Sequence, residues 1–160
     1  MLNITLICLG KLKEKYLNDA CTEYKKRLSS YCSLKIIEIS PAYLPDNPSP
    51  IQIELALERE TKLILSKIPN SSKIYCLCIE GEQISSQGLG KEFEKTALNG
   101  VNNLFFIIGS SYGLSETVKK VSDFRLSMSK MTFPHQLSRV MLLEQLYRAF
   151  QINAGGKYHK

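Results

Sequence analysis

The chain is predicted to fold as an α/β protein, a parallel sheet with helices on both faces. Short apolar runs of strand length alternate with helix-spaced segments along its whole length. One run, Leu104–Ile108 (LFFII), is apolar at every position, as a strand buried on both faces requires. No internal repeat, low-complexity stretch or compositional break divides the 160 residues, so 1–160 is expected to be a single domain with a sizeable core.

The elements follow in order. Asn3–Leu9 is a strand-length apolar run. Tyr16, Leu17, Ala20, Tyr24 and Leu28 recur at helical spacing and predict an amphipathic helix over Lys13–Ser29. Leu34–Ile39 is a second strand. Pro41, Pro45, Pro48 and Pro50 break regular structure and make a loop. Ile51–Ile68, free of glycine and proline, is a long helix stopped by Pro69-Asn70. Lys73–Ile79 is a third strand, ending at Glu80-Gly81. Ser86–Leu98 is a helix capped by Ser85 or Ser86, with Leu89, Phe93 and Ala97 on one face. After Leu104–Ile108 comes a turn, Gly109–Gly113, and a short helix around Ser115–Val121. Phe124–Met128 is a last strand, and Pro134–Ile152 a last helix with proline in its first turn.

Composition narrows the function. No apolar run approaches the roughly 20 residues of a membrane span. Met1–Gly10 lacks a basic leader and a small-residue cleavage site, so it reads as a strand rather than a signal peptide. A cytoplasmic location is expected. The five cysteines are odd in number and contain no zinc-type pair of pairs, so they read as structural thiols, and no metal is expected. The net charge of +6 suits a polyanionic partner. Its clusters, including Lys11-Lys13-Lys15, are read equally well as solvated helix faces.

Ligands of open α/β sheets bind beyond the carboxyl ends of strands. Three such ends stand out: Leu77–Gly81, Gly109–Gly113 and Met128–Phe133. Gly109 permits close backbone approach, or simply makes a tight turn. Met131 and Phe133 can wall an apolar slot, or pack in the core. No G-x-G-x-x-G opens a helix and no phosphate loop is present, which argues against nicotinamide cofactors and ATP. No G-x-S-x-G elbow supports a hydrolase. The chain finishes in Tyr158-His159-Lys160, with one of its two histidines. That triplet is either a disordered basic tail or the completion of an active site. Glu144 and Arg148, four apart, read as an ion pair. His135, after Pro134, reads as a packing or capping residue.

The runs Ser129–Gln136 (SKMTFPHQ), Glu144–Phe150 (EQLYRAF) and Tyr158-His159-Lys160, with Ile4–Lys15 (ITLICLGKLKEK) and Leu104–Leu114 (LFFIIGSSYGL), resemble the ribosomal RNA large subunit methyltransferase H family, a minimal branch of the SPOUT methyltransferases. The resemblance spans the whole chain. It implies a parallel-sheet SPOUT fold with a C-terminal trefoil knot, a homodimer, and S-adenosyl-L-methionine as cofactor. The cofactor residues it implies are Leu77, Gly109, Met128, Ser129, Lys130, Met131, Thr132 and Phe133. The reaction it implies is methylation of N3 of a pseudouridine in 23S rRNA on the assembled ribosome (pseudouridine 1915, in the helix 69 stem-loop). Transfer RNA as substrate, or a non-catalytic ribosome-assembly role, are the alternatives. His159, Tyr158 and Arg139 are the candidate catalytic residues, with His159 best matched in intrinsic pKa to proton removal. Lys160, Lys11 and Lys13 are the candidate RNA contacts. The family has two consecutive glycines where this chain has Gly109-Ser110, so a positive φ at Ser110 would be strained.

Overall fold

The computed structural model describes residues 1–159. Its element order is β1 (Leu2–Leu9), α1 (Lys15–Leu28), β2 (Cys32–Ile39), α2 (Pro50–Leu65), β3 (Ser72–Glu82), α3 (Ser86–Leu98), β4 (Asn103–Ile108), α4 (Glu116–Val121), β5 (Phe124–Leu126) and α5 (His135–Asn153). The strands form one sheet in the order β2-β1-β4-β3-β5, and every pairing is parallel. The last predicted strand is shorter than expected, ending at Leu126 rather than Met128. Pro50 does not lie in the loop but opens α2. The Ser49 hydroxyl accepts the Gln52 N–H and the Gln52 side chain returns to the Ser49 N–H, a reciprocal cap that tolerates proline at the first position.

Alternation along the strands sorts the core into two layers. Ile4, Leu6, Cys8, Leu104 and Phe106 face α1, α3 and α5, where Leu28, Phe93, Leu142 and Leu146 meet them. Ile7, Leu9, Phe105 and Ile107 face α2 and α4, through Ile64 and Val118. The rings of Tyr75 and Phe106 stack at 4.6 Å in the first layer. Helices therefore cover both faces, as expected, and no helix among the described residues is long and apolar enough to cross a membrane. All the strands being parallel, their carboxyl ends gather at one pole, where the Leu77–Glu82, Gly109–Leu114 and 127–134 segments meet.

Candidate functional site

A cleft of about 840 Å³ opens at that pole. Its lower wall is Leu77 and Cys78 from β3 and Ile108 from β4; its sides are the 109–114 loop and the 128–135 segment. Local chemistry shapes both sides. Gly109 has a reason to be glycine: a Cβ there would lie 2.5 Å from the Gly113 carbonyl oxygen. The turn closes on itself, with the Gly113 N–H donating to the Ser110 carbonyl at 2.9 Å and Gly113 at φ +76°. Among the described residues no non-glycine residue has a positive φ, so Ser110 is unstrained and the left-handed position falls on Gly113. On the other side, the Ser127 N–H bonds the Glu82 carbonyl at 2.9 Å, and the Ser129 hydroxyl accepts the Met131 N–H at 3.0 Å. These bonds curl the segment over the ends of β3 and β4 before α5 begins.

Of the eight cofactor residues expected from the sequence, Leu77, Gly109, Met128, Ser129, Met131, Thr132 and Phe133 line this cleft, and Lys130 does not. Met131 is 72% exposed at the rim, a large apolar side chain with little protein to cover it. Glu80 and Lys119 pair across one wall, where Glu116 also meets Lys119. His135 and Ser138 bring the start of α5 into the cleft, and that helix has no side-chain cap. His135 was expected only to pack or cap. Burial, and after it the charges of Arg139 and Lys13, hold its pKa below the ordinary value, so the ring in the cleft is neutral at neutral pH. Its position right after the SKMTFP run was the available signal.

None of the three expected catalytic residues lines the cleft of its own chain. Arg139 is 4% exposed and fully engaged: one nitrogen donates to Glu38 at 3.2 Å, another to the Gly10 carbonyl at 3.0 Å. It ties α5 to the ends of β1 and β2, away from the lining of the cleft. Tyr158 folds back onto α5. Its hydroxyl reaches Glu144 at 3.2 Å, its ring meets Tyr147 edge-on at 4.9 Å, and the Arg148 guanidinium lies 4.6 Å over it. Its phenol is pushed up to about 12, by burial first and then by Tyr24 and Glu144, which removes it as a base at neutral pH. Glu144 is the expected ion pair with Arg148, at 2.5 Å, and also accepts from Gln145 at 2.7 Å. His159 Nε2 lies 2.7 Å from the Gln87 amide nitrogen. An amide NH₂ only donates, so neutral His159 carries its proton on Nδ1, which has no partner among the described residues.

Among the expected RNA contacts, Lys11 and Lys13 are exposed beside the start of α5, where the Lys13 N–H donates to the Gln136 side chain at 2.9 Å. Lys160 lies outside the described residues. The cysteines are free, and no cluster of metal ligands occurs among the described residues.

Comparison with known proteins adds to this geometry. A family described as "Predicted SPOUT methyltransferase" matches residues 2–159. The chain is 50% identical over 159 residues to a protein of Clostridium perfringens named ribosomal RNA large subunit methyltransferase H, covering 99% of this chain and all of the relative. A protein of the same name from Clostridioides difficile is 48% identical with the same coverage. A solved structure of a probable methyltransferase from Bordetella pertussis superposes with a TM-score of 0.58 at 10% identity, covering 93% of this chain and 95% of that one. A probable methylase family protein from Haemophilus influenzae gives 0.56 at 11% identity, covering 99% and 71%. Identity this low shows shared fold alone.

Proposed function

The chain belongs to the SPOUT methyltransferase family, and from that premise we propose that it methylates 23S ribosomal RNA with S-adenosyl-L-methionine, at N3 of a pseudouridine on the assembled ribosome. The observation that carries this reading is the cleft at the carboxyl ends of β3, β4 and β5, in a chain 48–50% identical end to end to proteins bearing the ribosomal RNA methyltransferase name. The cleft fits the cofactor. Leu77, Met131 and Phe133 offer apolar walls for an adenine, Gly109 leaves room for close backbone approach, and the uncapped start of α5 offers N–H donors to a carboxylate. When bound, the cofactor supplies a methyl group already activated by its sulfonium.

The remaining work falls to the protein. The walls exclude water and fix the direction of approach to the methyl carbon. Lys11 and Lys13, exposed beside the start of α5, hold RNA phosphates, with Lys160 a further candidate. A base must take the N3 proton, and positioned general bases contribute about 10²–10⁴-fold. His159 is the proposed base, once its Nε2 leaves Gln87. Its own cleft is not where it sits, so the tail of a second copy is proposed to complete each site, in a homodimer built on α5. The trefoil knot belongs to the same proposal: the 127–134 segment crosses the ends of β3 and β4 on its way to α5.

Nucleoside mass spectrometry of a deletion strain tests the substrate. Loss of a methylated pseudouridine from 23S rRNA is expected; loss from transfer RNA instead would redirect the assignment. Calorimetric titration with S-adenosylmethionine tests the chemistry. No heat of binding up to millimolar concentration would leave a non-catalytic ribosome-binding protein.

A further inference from the structure

The carboxyl end of β3 leaves the sheet ladder. Leu126 of β5 pairs first with Leu77 and again with Glu82, so residues 78–81 bulge out between the two pairings. Gly81 lets the bulge close against β5, because a Cβ there would lie 2.5 Å from the Arg125 carbonyl oxygen. The Ser127 N–H then fastens the far side through the Glu82 carbonyl at 2.9 Å. Bulges re-aim side chains, often beside a site. This one carries Glu80 into the lining of the cleft, where it is the one acid among the described residues. Lys119, with a side chain only 14% exposed, donates to Glu80 Oε1 and lies 3.5 Å from Glu116. The bond from Lys119 holds the Glu80 carboxyl below its ordinary pKa, so it is ionised at neutral pH. The Glu80 side chain is still 53% exposed, and a carboxylate has lone pairs for several donors.

The Glu80–Lys119 pair is electroneutral. A cation brought to Glu80 would also meet the Lys119 ammonium, whereas a neutral donor meets only the spare lone pairs. Hydroxyl groups are such donors, and dinucleotide-binding α/β folds set an acid against a ribose hydroxyl in this way. Glu80 lies three residues along β3 from Leu77, the wall proposed for the adenine. We infer that Glu80 accepts hydrogen bonds from the ribose hydroxyls of the cofactor, with Lys119 as the positioning residue that holds the carboxylate in place. This inference rests on the cleft being the S-adenosylmethionine site.

The test is calorimetric titration of full-length wild type and Glu80→Ala, with melting followed on the same samples. Three ligands are compared: S-adenosylmethionine, S-adenosylhomocysteine, and S-adenosylhomocysteine lacking both ribose hydroxyls. Glu80→Ala should weaken the first two about tenfold, the loss of a hydrogen bond to a charged group, and the third by less than about twofold. An equal loss on all three ligands overturns the inference, and so does wild-type affinity for all three. A loss on S-adenosylmethionine alone overturns it as well and assigns Glu80 to the sulfonium. Glu80 is half exposed and Lys119 keeps Glu116 nearby, so the variant should melt close to wild type. If Glu80→Ala fails to fold, Glu80→Gln, which keeps an acceptor for Lys119, takes its place and should again lose affinity only for the two ligands with hydroxyls. If wild type binds S-adenosylmethionine, a failed comparison strikes Glu80 alone; if wild type does not bind it, the function reading fails and this inference with it.

Discussion

At the scale of single residues, the cleft depends on what each side chain leaves free. Gly109 is held to glycine by its own loop, since a Cβ would collide with the Gly113 backbone. Gly109→Val should therefore displace the 109–113 turn and abolish S-adenosylmethionine binding, while the strand beneath it, five residues of which are buried, keeps the fold. Titration calorimetry with a circular dichroism melt checks this; wild-type affinity in a folded variant would remove Gly109 from the site. Arg139 makes the opposite case. Its guanidinium is spent on Glu38 and Gly10, so Arg139→Met should cost about 2 kcal/mol of stability, mostly from polar partners left unmatched. The Glu38 side chain is 38% exposed and can rehydrate, which keeps the loss below that of a fully buried pair. Urea unfolding should show the shift, with cofactor affinity close to wild type. A large loss of turnover at unchanged stability would restore Arg139 to the chemistry.

At the scale of elements, α5 and the tail behave differently from a reading of their composition alone. By sequence, Val140, Met141, Leu143, Leu146, Tyr147, Phe150 and Ile152 are more than one buried stripe needs. In the fold, α1 and α3 flank α5, so Leu143 and Leu146 are fully buried and Val140, Tyr147 and Phe150 pack against the same core. The surplus left for a partner is smaller, with Met141 and Val140 bordering a second cavity of about 370 Å³ and Leu137 38% exposed. The tail is also less loose than Gly155-Gly156 implies. Gly155, at φ +67°, turns the chain back, and Tyr158 then packs on Tyr147 and Arg148. An aromatic pair and a cation–π contact are each worth about 1 kcal/mol. Deleting residues 158–160 should thus lower stability by about 1–2 kcal/mol, rather than leave it unchanged, and abolish methyl transfer on ribosomes. Thermal melts beside single-turnover assays separate the two effects. Full activity in the truncated protein would return the tail to a packing role.

At the scale of the whole molecule, the elements were legible from the chain and their arrangement was not. Runs such as LFFII announce strands because burial on both faces leaves no polar position, and Tyr16, Leu17 and Leu28 announce a helix by spacing. The strand order β2-β1-β4-β3-β5 depends on contacts that no local pattern encodes. The bond from Arg139 to Glu38 spans 101 positions, and that from His159 to Gln87 spans 72. Such pairs are invisible to periodicity, which is why Arg139 looked available and the tail looked free. The cleft was legible because a parallel sheet sends its strand ends to one pole. What the cleft of the single chain lacks is the tail, since neither Tyr158 nor His159 lines it. Glu144, where Tyr158 docks, lies nine residues along α5 from His135, about 14 Å at helical rise. A second copy related by a two-fold axis can bring its tail to the cleft where the cis tail is tied down. Subunit mixing tests this. Gly109→Val protein has an intact tail and no cleft; protein lacking 158–160 has an intact cleft and no tail. Each should be inactive alone. Co-expressed with different tags and purified as the heterodimer, they should recover about half the wild-type activity, because one of the two sites then combines an intact cleft with an intact tail. A verified heterodimer no more active than its parents would place the tail in cis.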